Sequence, residues 1–175
     1  MSRILSVVNK FIDIVDRFAG WLVLVIIALV FIEVFMRYVL NRPLMVADEF
    51  SAYMVVAIAY LGMAKTWQQG GHPRVTLLTK SLKPKVTSWL RLSTLFLGLV
   101  MAGVMCQSSY KLLVNSFKIH MSSGTWLNTP LQGPQLTILI GFILLFFILI
   151  VEIAKAIRDI SQGKPVDKPE EEELL

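Results

Sequence analysis

One cysteine and two histidines are all that these 175 residues offer of the side chains that most often bind metals or haem. Cys106 lies inside an apolar run and has no second cysteine, so an internal disulfide is excluded. His72 and His120 fall outside the apolar runs and are expected on opposite sides of a membrane. A transmembrane haem needs histidines that face each other within a bundle, which argues against a membrane cytochrome. No Cys/His cluster has zinc spacing, no Gly-rich phosphate loop follows a strand, and no Ser-His-Asp set can be assembled. No cofactor is therefore expected in this chain. Charge is scarce as well, at 17% of residues, and it gathers at the joints between apolar runs.

Apolar runs are what the chain has in quantity. Hydrophobic residues make up 55% of it and the mean hydropathy is +0.67, more than a soluble domain of this length can hide. The composition predicts an all-α integral membrane protein embedded in the lipid bilayer. The net charge of +5 is not a nucleic-acid signal, because Lys and Arg stand beside apolar segments, where they report topology.

Four spans are expected, at about 18–36, 48–67, 86–113 and 134–157, since a crossing takes about 20 residues. They form a single membrane domain over 1–163. A polar, acidic tail over 164–175 is expected to be disordered. The first seventeen residues lack an apolar core and a small-residue cleavage site, so no cleaved signal peptide is expected. Ile4, Leu5, Val8, Phe11, Ile12 and Val15 have helical spacing. They fit either an interfacial amphipathic helix or an extension of the first span. After the second span, Gly70, Gly71 and Pro73 break the helix. "VTLLTKSLKPK" then reads as a second interfacial helix, and Pro84 suits the first turn of span three.

The basic residues orient these spans. Only Arg37, Arg42, Lys111 and Lys118 fall on the side opposite the termini; every other Lys and Arg falls with the termini. The positive-inside rule then places both termini in the cytoplasm. No internal repeat is visible, and the two helix pairs do not read as an inverted repeat, which weakens a self-contained transporter.

"RYVLNRPLMVADEF", residues 37–50, concentrates charge and a fixed turn between the first two spans. Glu33 is the one acid well inside a span, yet it lies about 22 Å along the helix from Phe18, beyond the midplane. Arg37, one turn on, is placed to pair with it. Asp48 and Glu49 open the second span, where carboxylates face the positive end of the helix dipole. Adjacent helical residues point about 100° apart, so this pair would not share one substrate. Arg37 and Arg42 are expected to neutralise all three acids while Pro43 limits the turn. Ala57, Ala59, Gly62 and Ala64 in span two, and Gly98 with Ala102 in span three, permit close helix contact, either within the chain or with a second protein. The connection over 114–135 is turn-rich. Trp126 suits the headgroup level there, and the loop reads either as a docking surface or as a plain solvated loop.

Two segments resemble one family. Arg37, Tyr38, Asn41, Asp48 and Glu49 match the joint after the first helix in small permease subunits (DctQ-like) of tripartite ATP-independent periplasmic, or TRAP, transporters. "GGHPRVTLL", through Gly70 or Gly71, His72, Val75, Leu77 and Leu78, resembles that family's joint after the second helix. Val46, Pro73 and Thr76 depart from the pattern. The resemblance implies a non-enzymatic subunit of the bacterial inner membrane that acts as a fixed scaffold. It pairs with a large multi-helix permease that holds the sodium and solute sites. It also helps a soluble periplasmic substrate-binding protein to dock. Glu33, Arg37, Tyr38, Asn41, Arg42, Asp48, Glu49, His72 and Trp126 are the candidate structural or interface residues. A self-sufficient proton-coupled exporter built on Glu33 is the alternative. A membrane anchor for a redox or signalling enzyme is a third reading, opposed by the placement of the histidines.

Overall fold

The computed structural model describes residues 2–69, 84–125 and 127–161. The expected interfacial helix after span two, His72, Trp126 and the acidic tail all lie outside the described residues. Four α-helices account for nearly all the rest: α1 (Ser2–Val39), α2 (Met45–Gln68), α3 (Pro84–Ile119) and α4 (Gln132–Ser161). Each carries a stretch long and apolar enough to cross a membrane, which agrees with an all-α protein of four spans.

Residues 2–17 continue the first span as one unbroken helix. Part of their apolar stripe is used for packing: Ile12 is buried against Ala64 of α2 and Leu144 and Ile148 of α4, with Val15 alongside, while Phe11 is exposed. Asp13 accepts a bond from Lys65 of α2 at 2.5 Å. Of the two readings of this segment, the extension is the one observed. Pro84 opens α3, as expected of a residue with no N–H to lose in a first turn. Asn41 follows α1 with φ 49° and His120 follows α3 with φ 50°. This left-handed conformation turns the chain back, and Arg42 N–H reaches Met36 O at 3.1 Å and Met121 N–H reaches Ser116 O at 3.1 Å. Asn adopts that conformation more readily than most side chains.

The helices stand in an open row. α1 packs on α2 and touches α4 around Ile12, α2 packs on α4, and α4 on α3, so α1 and α3 are the flanks. One end of the row, the termini end, holds the start of α1 and the last turns of α4, and is tied between helices by Asp13–Lys65 and by Arg91–Glu152 at 3.6 Å, while Lys155 pairs with Glu152 within α4 at 2.7 Å. The opposite end holds the α1–α2 joint and the α3–α4 loop. The central pair, α2 and α4, runs in one direction, from the joint end toward the termini end.

Apolar helices gain little from each other in lipid, so close contact rests on small residues and shape. Gly141 of α4 sits against the Tyr60 backbone of α2. A Cβ there would meet the carbonyl oxygen, the carbonyl carbon at 2.7 Å and Tyr60 Cβ at 2.8 Å. The Tyr60 ring meets Phe142 edge-on, centroids 5.3 Å apart. Ala57 and Ala64 are buried, and Gly98 and Ala102 face the Leu149 side of α4. These small residues serve packing within the chain. Ala59 is exposed and Gly62 has no neighbour within 4 Å of a Cβ. Trp67 joins the two core clusters, so α2 touches both. Ser93 and Thr94 return their hydroxyls to carbonyls of their own helix, at 3.0 and 2.8 Å, and line no polar path.

Gly141→Ala forces α2 and α4 apart and is expected to cost about 1–3 kcal/mol, the range for overpacking. Gly62→Ala meets open space and is expected to be neutral or stabilising. Thermal unfolding of the two variants in the same detergent checks the contrast.

Candidate functional site

At the end of α1 the Glu33 side chain is almost fully buried, with the residue 5% exposed. Both of its oxygens are engaged. Oε1 accepts from Arg37 Nε at 2.8 Å and faces Arg37 Nη2 at 2.5 Å. Oε2 accepts the Leu44 N–H at 2.6 Å. Leu44 is the residue before α2, and its side chain makes no capping bond. Glu33 thus holds the start of the second helix through a backbone amide that would otherwise be orphaned. Arg37 reaches on to Asp48 Oδ2 at 3.6 Å. One arginine therefore lies between a buried carboxylate on α1 and an exposed one on α2. A cleft of about 180 Å³ opens beside them, lined by Glu33, Arg37, Tyr38, Asp48 and Ser51 among others.

Asp48 and Glu49 diverge as adjacent helical residues must. Asp48 faces α1 and solvent. Glu49 is 7% exposed and faces the α3–α4 loop. Tyr53, one turn along α2, donates its hydroxyl to Glu49 Oε1 at 2.5 Å. Thr125 donates to Oε2 at 2.6 Å from across the structure. Ser123 Oγ lies 2.6 Å from Thr125 Oγ1. Thr125 gives its only hydroxyl proton to the carboxylate, so the Ser123 hydroxyl is the donor in that pair. The loop is shaped to present these groups. Ser123 N–H bonds Thr129 O at 2.9 Å, Leu131 N–H bonds Met121 O at 3.2 Å, and Asn128 takes φ 46° at the tip.

Two adjacent acids therefore face two different partners at the head of one helix, Asp48 the arginine of α1 and Glu49 the α3–α4 loop. The expectation that arginines neutralise all three acids is corrected in part. Arg37 serves Glu33 and Asp48. Glu49 is met by hydroxyls, because its side of α2 faces a Ser/Thr loop and not the arginine. Among the described residues Arg42 has no side-chain partner and is exposed, as are Tyr38 and Asn41. His72 and Trp126 cannot be placed relative to this cluster. Sequence reasoning did not find Tyr53, Ser123, Thr125 or the Leu44 amide. Tyr53 at one helical turn from Glu49 was the available signal; Thr125 had none.

The chemistry open to this cluster is limited. Every carboxylate oxygen of Glu33 and Glu49 already accepts a bond, and among the described residues no group of three His, Cys, Asp or Glu is placed to hold a metal ion. An exporter that cycles a proton on Glu33 would have to break its bonds to Arg37 and Leu44 on each turnover.

A family model described as the DctQ component of tripartite ATP-independent periplasmic transporters matches residues 26–159, the stretch from mid-α1 to the end of α4. The chain belongs to this DctQ family. It is a TRAP transporter small permease subunit, and the tied joint just described lies within the matched stretch. It is also similar to a Haemophilus influenzae protein named as a TRAP transporter small permease protein, with 28% identity over 92 residues. That match takes in 51% of this chain and 57% of the relative, so the chain spans little more than half the length of the protein it matches.

Glu49 and Thr125 share the bond that ties the loop to α2, and each also bonds a neighbour of its own, Tyr53 and Ser123. Glu49→Ala and Thr125→Val are each expected to loosen the loop at Ser123, with a combined effect smaller than the sum of the two. Amide exchange at Ser123 and Leu131, read by mass spectrometry, measures this. Asp48→Asn, at an exposed site, should leave that exchange unchanged.

Proposed function

We propose that this DctQ subunit is the non-conducting scaffold of a sodium-driven transporter that takes up an organic anion. In this reading a C4-dicarboxylate or a sialic acid is the class of solute. A large multi-helix permease binds sodium and solute and moves as an elevator, while the small subunit enlarges the part that stays still. The termini lie in the cytoplasm, on the side rich in Lys and Arg. The joint end then faces the periplasm, where the α1–α2 joint and the α3–α4 loop are in reach of the substrate-binding protein.

The observation that carries this reading is the distribution of polar groups along the row. Acids and their donors are gathered at the two ends, where they bind helix to helix. Between the ends, Ser93 and Thr94 bond to their own helix and Tyr60 packs on Phe142. A conducting chain needs polar groups that converge on a midplane site. A brace needs stiff ends and long flanks, and α1 and α3 present such flanks, with Phe31 and Leu97 each about two-thirds exposed.

Arg37→Glu sets a second carboxylate against Glu33 and Asp48. It is expected to lower both co-purified permease and sodium-dependent uptake by about tenfold, since like charges at a contact cost several kcal/mol. The relative uptake of competing solutes should stay the same. Uptake in whole cells with mixed labelled carboxylates checks it: a changed solute preference, or full uptake by the large permease without this chain, would sink the scaffold reading.

A further inference from the structure

α3 is a flank of the row, and its inner face is occupied by α4. Leu95, Ala102, Ser109 and Ser116 are buried there. The face directly opposite changes character halfway along. Over its middle it is apolar, with Leu97, Val100 and Val104 exposed, and one turn before them Ser93 returns its hydroxyl to Trp89 O. Toward the joint end it becomes Gln107, Lys111, Asn115 and Lys118, spaced at one helical turn and all exposed. Among the described residues none of these four side chains has a partner, and α3 carries no acidic residue over Pro84–Ile119.

The depth of this stripe gives it meaning. Gln132 Nε2 donates to Ser116 O at 3.3 Å, so Ser116 is level with the start of α4. Arg91 pairs with Glu152 at the other end. About 37 Å of helix separates these two levels, against a hydrocarbon core of about 30 Å. Lys111 lies about 7 Å and Gln107 about 13 Å inward from Ser116. A lysine can extend its amine toward headgroups, but the shorter amide of Gln107 cannot reach them from that depth. A polar stripe running inward on the outer side of a flanking helix is costly against lipid and is expected to be covered.

We infer that this face of α3 docks a membrane-spanning helix of the large permease, one that presents a carboxylate level with Lys111 and hydrogen-bonding groups to Gln107 and Asn115. This rests on the scaffold reading for the partner's existence and goes beyond it in naming the face. A second copy of this chain is a poor occupant, because a symmetric contact through this face would set Lys111 against Lys111 and Lys118 against Lys118. The unpaired lysines and the absence of acid on α3 ask for an anionic partner, and the depth asks for one inside the membrane.

The test uses the whole transporter in native membranes, with photo-reactive residues substituted at Gln107 or at Asn115. Illumination is expected to join this chain to the large permease at both positions. Lys111→Glu should lower recovered permease about tenfold while the chain itself inserts and accumulates normally. Crosslinks to lipid alone, or to a second copy, with the permease still co-purifying, would overturn the assignment of this face and leave the scaffold reading intact. Failure of the permease to co-purify with the unaltered chain would overturn both.

Discussion

The row depends on one backbone-to-backbone approach. At Gly141 the α4 helix comes so near Tyr60 of α2 that even a methyl group would not fit. In water the burial of apolar area would supply the drive for such packing; between lipid tails it supplies almost none. Close approach replaces it, because dispersion contacts fall off within an ångström of their best distance. The central pair is thereby placed, and the flanks follow. Gly98 and Ala102 let α3 lie against Leu149 on one side, and Ile12 fills the groove beside Ala64 and Ile148 on the other. Trp67 spans both clusters, so a shift in the central pair would be felt on both flanks.

Polar groups settle what packing leaves open. Apolar helices can slide along one another at little cost, and the ends of this row remove that freedom. Asp13–Lys65 and Arg91–Glu152 set the register at the termini end. At the joint end, Glu33 holds the first amide before α2, while Glu49 holds a loop from the other half of the chain. Each oxygen of the two buried acids accepts a bond that holds a helix end or a loop, and a cycle of protonation would disturb those bonds. The divergence of Asp48 and Glu49 is the simple consequence of placing two acids next to each other on a helix. It lets one helix end be fastened on two sides.

Much of the joint was legible from spacing alone. Glu33 and Arg37 stand four residues apart on one helix, and their pairing needed no knowledge of the fold. The opposed directions of Asp48 and Glu49 follow from 100° per residue. The fate of Glu49 was not legible, because its partner Thr125 lies 76 positions away in a loop that reads as plain turn sequence. Gly141 was equally hidden, a lone glycine in an apolar run with only Thr137 one turn away to hint at a contact face. The order of the helices could not be read either. Spans that are apolar all round give no sign of which side meets a neighbour, whereas a soluble amphipathic helix declares its buried face.

The same absence of an amphipathic signal makes the polar stripe of α3 informative. In a soluble protein an exposed run of Gln, Lys, Asn and Lys would be ordinary surface. On a membrane helix the solvent is lipid for most of the length, and the ordinary surface is Leu97, Val100 and Val104. The change in character on one face of one helix is therefore a boundary between two environments. That boundary lies about 13 Å inward from Ser116, the level at which α4 begins. An open row is suited to such a role: a closed four-helix bundle would have turned one side of α3 inward and shortened the surface left for another chain. By leaving α1 and α3 as flanks, the fold gives up contacts within itself and retains two full helix faces, one of them marked at a fixed depth by charge.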